Sequence, residues 1–411
     1  MNTDFVIIGG GAAGLMAGAQ AGELGIRAVV VERKHKPGRK MLLCGNNRCN
    51  ITHDSDTAGM LAAYGPPVAD FLAPALHAFP PTALRKWMSR NGLRTVVHPD
   101  GRVYPRSEKA DDVLHFFADR LRDEGVPMVV NCAVSGIRCE SGGFRVLTRR
   151  LDLRCSHVLI ATGGVSYPKT GSVGDGQRFA KALGHRIMPY RAGLAGFEFE
   201  EKWVHRFRDV SFEDTLVRIL VDGEAKGETS GEILCSRRAV RGPAMVNASR
   251  VIARRELRNY TFEIDLRPRT GAEELARQIL ERTPAEGALL SKVLGDWLVP
   301  REAARQVVTR LLELPGDQRI RRNDKERVGQ IAQRLKQWRL HPRRTRPLKE
   351  AMVTVGGVAL EEIEPGTMAS RCCPGLYFAG EVMDIDGPTG GYNLHAAFAT
   401  ARLAVQAIGN G

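Results

Sequence analysis

The stretch Gly38 to Thr52, GRKMLLCGNNRCNIT, concentrates three basic side chains, two cysteines and three asparagines in fifteen residues. Cys49 stands between Arg48 and Asn50. A thiol with an ordinary pKa near ~8.5 holds its proton at neutral pH and can act as an acid. A guanidinium beside it would lower that pKa and favour a thiolate nucleophile instead. Tyr167 and Lys169 in SYPKTG are further proton carriers, with Asp386 another. The plainer reading of Cys49 is an inert buried thiol in a loop locked by asparagine side chains.

The elements that would position these groups start at the N-terminus. DFVIIGGGAAGLMAGAQAGELGIRAVVVERK reads as strand, tight turn, helix and strand, the βαβ unit of an α/β fold. Gly9-x-Gly11-x-x-Gly14 falls between the first strand and the helix, and Glu32 ends the second strand near the expected ~20-residue offset. Gly9 would permit the tight turn, Gly11 the approach of a pyrophosphate, and Gly14 close helix–strand packing. Ala13 lies in the helix's first turn, and Glu32 would accept ribose hydroxyls. Arg39 and Lys40 follow closely enough to run beside the pyrophosphate and offset its charge.

FAD is favoured over a nicotinamide cofactor by three later segments. VLIATGG ends a strand in small residues, including Thr162 and Gly163. GLYFAGEVMD places Gly380 and Glu381 where a carboxylate could meet the ribityl or pyrophosphate portion. GPTGGYN opens a helix, with Thr389 as the expected cap, and its dipole could stabilise negative charge on a flavin ring. Gly45, Asn50, Val134, Gly391, Tyr392 and Asn393 complete the expected cofactor contacts. A second GxGxxG is absent, so NAD(P)H is expected only as a transient electron donor.

The motifs GGGAAGLMAG, PGRKMLLCGNNRCNIT, GRVYPRSEKADDVL, ATGGVSYPKTGSVGDG, TVGGV and GEVMDIDGPTGGYN together resemble the BaiN/YhiN-type flavoproteins, relatives of the aminoacetone oxidases with two dinucleotide-binding domains. The resemblance spans almost the whole chain. It implies a Rossmann-like FAD-binding domain assembled from both chain ends, with an inserted β-rich module and a basic helical module. It also implies a link to ribosomal RNA dihydrouridine formation, which some members carry. Cys49 matches the family pattern. Cys44 stands where members usually have Ser, and Asn47 where they often have Gly.

The expected boundaries are 1–190 and 350–411 for the FAD-binding domain, 191–270 for the β-rich insert and 271–349 for the basic helical insert. TVVHPDGRVYP reads as a hairpin turning at Asp100-Gly101. Net charge is +14, and a share of it lies between Arg301 and Arg346, where fourteen Lys/Arg face five Asp/Glu. Such an excess attracts polyanions. Arg321, Arg322, Arg334, Lys336, Arg339, Arg343, Arg344 and Arg346 form the candidate RNA surface, with Arg319 and His341 nearby and Trp338 able to stack on a base. The plainer reading is a solvated helix face with a charged linker.

Eight cysteines are too sparse for a disulfide framework, and none are spaced for a structural zinc site. Cys132, Cys139 and Cys155 are expected to be core thiols, and Cys372 and Cys373 reduced neighbours. No apolar run reaches the ~20 residues of a membrane helix. The N-terminus enters the first strand directly, so a cytoplasmic location is expected. The leading functional expectation is an NAD(P)H-driven, FAD-dependent reductase acting on uracil in structured RNA, chiefly rRNA. A small-molecule flavoenzyme, oxidising an amine or aminoketone or reducing an enone, is the alternative. A non-catalytic RNA-binding factor with structural FAD is the third.

Overall fold

A computed structural model describes residues 2–236, 239–295 and 297–410. The chain divides into two compact units, Met1–Arg191 with Met352–Gly411, and Ala192–Ala351.

In the first unit, a parallel sheet runs in the order Leu376–Phe378, His157–Ile160, Phe5–Ile8, Ala28–Val31, Met128–Val129. Phe5, Val6 and Ile7 are wholly buried, because this sheet is covered on both faces and leaves no side for polar residues. The C-terminal strand pairs with His157–Ile160, so both chain ends build one sheet. Helix Ala12–Glu23 follows the first strand, and helix Tyr392–Gly409 closes the chain. A separately paired three-stranded sheet, Val134–Glu140, Gly143–Thr148 and Asp152–Cys155, shares the core of the parallel one. The expected hairpin forms from Thr95–Val97 and Arg102–Pro105.

Cys139 departs from the core-thiol expectation. Cys132 and Cys155 are buried, but Cys139 is exposed. A register shift between Val134 and Gly136 breaks the alternation along the strand, and Cys139 sits near its hairpin end.

In the second unit, a seven-stranded antiparallel sheet begins with Trp338–Leu340 and ends with Pro342–Thr345. Only His341 separates those edge strands along the chain, so the sheet curls until its edges nearly meet. The segments 191–270 and 271–349 share one apolar core, in which Phe262 and Ile264 meet Leu335 and Leu340. Trp338 belongs to that core. It is 4% exposed and stacks on Trp203 with ring centroids 6.2 Å apart, so it cannot stack on a base. The strand reverses its side chains at every residue, and Trp338 and Leu340 point inward while Arg339 points out.

Candidate active site

The nucleotide loop is built by crowding. Gly9 has φ +110, and a Cβ there would lie 2.6 Å from the Ala161 carbonyl oxygen, so the first turn touches the end of the neighbouring strand. A Cβ on Gly14 would sit 1.7 Å from the Gly9 carbonyl oxygen. At Gly11 the space is open, with no heavy atom within 4 Å of a Cβ. That is the cradle a pyrophosphate requires at a helix N-terminus. Glu32 ends its strand buried and accepts N–H bonds from Gly10 at 2.7 Å and from Lys34 at 2.7 Å. These bonds fix the carboxylate while leaving lone pairs for ribose hydroxyls. Thr162 Oγ1 and Asn50 Oδ1 are buried without a hydrogen-bond partner. Buried polar atoms are normally satisfied, so these orphans fit contacts to a bound group. The first-unit residues therefore suit FAD.

A polar network joins segments far apart in sequence. Lys40 Nζ lies 2.6 Å from Glu381 Oε2 and 2.6 Å from Ser166 Oγ. Ser166 Oγ donates to Glu381 Oε1, and the Thr354 N–H donates to the same oxygen at 2.8 Å. Thr354 Oγ1 accepts from the backbone N–H of Val165 and Ser166. Gly164 makes this possible, because a Cβ there would lie 2.3 Å from Thr354 Oγ1. Lys40 is thus held by Glu381, where the sequence placed it beside the pyrophosphate. Arg39 is half-buried and has no hydrogen-bond or ion-pair partner among the described residues, so it is the cation left for an anion.

Glu381 also lines a small cleft of about 10 Å³, the room of a single water, together with Tyr64, Ile385, Asp386, Asn393 and Ala396. Asn393 clips the loop before its helix, accepting the Gly387 N–H and donating to the Gly387 and Pro388 carbonyls. Tyr392 stacks on His53, with centroids 5.0 Å apart, and its carbonyl accepts the Tyr64 hydroxyl at 2.7 Å. The helix cap is Gly391, at φ +101, with no side-chain cap, so Thr389 does not take the expected place. Gly391 is required because a Cβ would meet the Thr52 carbonyl oxygen at 2.3 Å. Gly380, at φ +72, fits between Ala13 and Ala397, which brings the N-termini of the first and last helices together.

The other sequence-predicted residues lie as follows. Cys49 is wholly buried in the main core at φ +61, its N–H bonded to the Cys44 carbonyl at 2.9 Å. Burial, and then the neighbouring Cys44, push its thiol well above the ordinary range. It stays protonated and is covered by protein on every side. Cys44 lies among the same groups, and burial pushes its thiol up to about 11 against the pull of Lys40. Arg48 stacks on Tyr104 at 4.5 Å and reaches Glu108, so it is occupied on the far side of the loop. Gly45 has φ +58, and a Cβ would crowd Tyr104. Tyr167 is half-buried at φ +48, Lys169 is exposed, and Gly163 turns at φ +72. Val134 is buried at the start of its strand.

Sequence reasoning missed His395 and Tyr64. His395 is wholly buried; its Nε2 donates to the Phe79 carbonyl and its Nδ1 accepts from Thr52 Oγ1, both at 2.9 Å. Nothing in an Ala-rich helix distinguishes such a histidine from an exposed one. Burial holds its pKa down to about 4, against 6.5 in the open. Because the unfolded state binds the proton more readily, this stability is complete above about pH 6.5 and is lost as pH falls towards 4. The loss reaches about 3 kcal/mol near pH 4. Melting temperatures of wild type and His395→Gln across that window should differ in slope; parallel curves would remove His395 from the acid response.

In the basic unit, several candidate RNA contacts are already paired. Lys336 binds Asp265 at 2.7 Å and the carbonyls of Arg267 and Thr270. Arg346 pairs with Glu198 and Glu350, and Arg344 with Glu198. Arg339 pairs with Glu263, and His341 with Glu201. Arg334 and Arg322 donate to the Leu312 and Thr283 carbonyls, and Arg319 to Gly287. The side chains of Arg321 and Arg343 are exposed and have no partner among the described residues. Thus Lys336 and Arg346 serve the fold, and Arg321 and Arg343 remain open to a polyanion. Among the described residues there is no cluster suited to a metal ion and no helix long and apolar enough to cross a membrane.

A parallel sheet assembled from both chain ends, a glycine turn open at Gly11 and a buried Glu32 define an FAD-dependent oxidoreductase of the Rossmann type. The chain belongs to the HI0933-like protein Rossmann domain family, whose profile matches residues 3–407. It is 28% identical to the ribosomal RNA dihydrouridine synthase of Escherichia coli K12, over 98% of this chain and 97% of that one. It is also 28% identical to the 3-dehydro-bile acid delta(4,6)-reductase of Clostridium scindens, over 98% of both chains. The ribosomal RNA dihydrouridine synthase of Haemophilus influenzae matches at 27% over 99% of this chain and 98% of its own. Among solved structures, E. coli quinol fumarate reductase FrdA superposes with TM-score 0.53 at 15% identity, covering 100% of this chain and 70% of that one. The 3-ketosteroid-delta4-(5alpha)-dehydrogenase of Rhodococcus jostii RHA1 also gives TM-score 0.53, at 14% identity over 99% and 97% of the chains. At such identity these structures establish the fold alone.

Proposed function

We propose that this chain is a cytoplasmic FAD-dependent reductase that draws electrons from NAD(P)H and saturates the carbon–carbon double bond of uracil in ribosomal RNA, giving dihydrouridine. Bound FAD supplies the hydride. Gly9, Gly11, Glu32 and Arg39 would hold its nucleotide half, while Thr162 and Asn50 would satisfy polar atoms elsewhere on it. Uracil's double bond is conjugated to a carbonyl, as is that of an enone, so addition of hydride requires a proton at the neighbouring carbon. Within the cleft, the residues that can carry one are Tyr64, Glu381 and Asp386.

The observation that carries RNA over a small molecule is the pair of exposed, unpartnered arginines, Arg321 and Arg343, in a chain of net charge +14. Phosphate contacts of this kind are salt-dependent and carry no base specificity. The relatives named for rRNA support the same reading. The bile acid relative favours a second one, reduction of a small enone, in which those arginines have no part. An amine or aminoketone oxidase is the remaining small-molecule form.

The deciding measurement is mass spectrometry of nucleosides from rRNA of strains with and without the gene. Loss of dihydrouridine, restored by the wild-type gene, is the expected result. Unchanged dihydrouridine, or none in either strain, would turn the search to enones. Arg321→Glu with Arg343→Glu should leave the fold and FAD content intact. It should weaken binding of an rRNA fragment by roughly 10-fold or more and flatten its salt dependence. Unchanged affinity would return these arginines to a solvated surface.

A further inference from the structure

The exposed Cys139 ends in a contact that the cofactor site does not use. Its Sγ lies 3.4 Å from Cys373 Sγ, across 234 residues of sequence. Cys373 is 7% exposed, and its neighbour Cys372 is open to solvent. The loop bearing Cys373 is fixed rather than free. Ser370 Oγ accepts the backbone N–H groups of Cys372 at 3.0 Å and Cys373 at 2.8 Å. His185 donates from Nδ1 to the Ala180 carbonyl, which leaves its Nε2 to accept the Ser370 hydroxyl at 2.7 Å. Cys139 is held on the other side by its strand, opposite Phe144. Two fixed backbones thus place two thiols within a shift of about 1.4 Å of a disulfide bond length.

We propose that Cys139 and Cys373 are a thiol-modification site: a low-molecular-weight disulfide converts them to an intramolecular disulfide, with Cys139 attacked first and Cys373 resolving. In the first step the Cys139 sulfur forms a bond to one sulfur of the reagent, whose own disulfide bond breaks and releases one thiol. In the second, the Cys373 sulfur attacks the Cys139 sulfur and displaces the other half as a second thiol. Two protein thiols are oxidised, one small disulfide is reduced, and both protons leave on the released thiols. Exposure selects Cys139 as the entry point, since the nearly buried Cys373 is closed to an incoming reagent. Burial and the adjacent Cys139 push the Cys373 thiol up to about 12, so the resolving step accelerates as pH rises.

The bridge would fasten the strand Val134–Glu140 to the loop just before Leu376–Phe378, the strand that leads into Gly380 and Glu381. A link across so long a stretch restricts the unfolded chain strongly, so the bridged form should melt about 5 °C or more higher. In a reducing cytoplasm it would be transient and oxidant-dependent.

The test uses the full-length, FAD-loaded protein with oxidised glutathione, followed by intact mass and non-reducing peptide mapping. The expected result is a linked peptide pair containing Cys139 and Cys373 that carries no glutathione, any retained adduct being confined to the exposed Cys372. Cys373→Ser should stop at a glutathione adduct on Cys139, Cys139→Ser should leave Cys373 reduced, and Cys372→Ser should form the bridge as wild type does. A stable adduct on wild-type Cys139, a Cys372–Cys373 bridge, or no oxidation at all would each overturn the proposal.

Discussion

Gly14→Ala is expected to yield a protein without FAD that is less stable by several kcal/mol, whereas Gly11→Ala should fold normally and still fail to hold FAD. The two glycines differ in what their missing side chains would meet. At Gly14 a methyl would lie 1.7 Å from the Gly9 carbonyl oxygen, a backbone atom that cannot step aside without opening the turn. Overpacking against backbone typically costs on the order of 3 kcal/mol or more. At Gly11 the backbone is extended, φ −82 and ψ −167, which alanine adopts freely. No protein atom lies within 4 Å of the new methyl. Its cost would therefore fall on the ligand, as a loss of roughly 100-fold or more in FAD affinity, about 2.7 kcal/mol. Flavin absorbance, flavin titration of the apoprotein and thermal melting separate the cases. Wild-type FAD affinity in Gly11→Ala would show that the open space there is not the pyrophosphate seat.

The second large effect concerns the proton. Asp386→Asn should reduce turnover by on the order of 100-fold or more with FAD retained, while Cys49→Ala should keep turnover and lose about 1–2 kcal/mol of stability. Asp386 lines the cleft beside Glu381 and Tyr64. Cys49 matches the family pattern, yet its thiol is wholly covered and pushed far above neutral pH. Cover does not separate the two, since Asp386 is itself only 1% exposed; the difference is that Asp386 lines the cleft, whereas the Cys49 thiol holds its proton too tightly to be a good donor. Its expected contribution is packing, as for other buried thiols. The measurements are single-turnover reduction of a uridine-containing RNA, flavin stoichiometry and melting temperature for each variant. Full loss of turnover in Cys49→Ala, with FAD and stability intact, would restore the thiol as the acid. An unaffected Asp386→Asn would leave Tyr64 and Glu381 as the donors to test.

Much of the first unit was legible in the sequence because its determinants are local. A buried parallel strand must be apolar throughout, a turn at φ +110 favours glycine, and a pyrophosphate cradle needs glycines at fixed offsets. These rules act over a few residues, and GxGxxG, Glu32 and the strand–helix order follow from them. The assembly of the sheet from both chain ends came from the resemblance carried by whole motifs, and the pairing of Leu376–Phe378 with His157–Ile160 agrees with it.

Other features were decided only when distant segments met. Lys40 finds Glu381 across 341 residues, Thr52 finds His395 across 343, and Cys139 finds Cys373 across 234. No periodicity encodes such partners, since each depends on where separate chain segments come to rest. Charge shows the same limit. The sequence gives the number of arginines between Arg301 and Arg346 but not their neighbours. Folding pairs Arg339 with Glu263 and both Arg344 and Arg346 with Glu198, and turns Trp338 into the core. Composition determined that this protein is basic, and local pattern determined its nucleotide-binding turn. The tertiary structure alone decided which cations stay open, which cysteine is covered and which is exposed, because burial and pairing are properties of the packed chain.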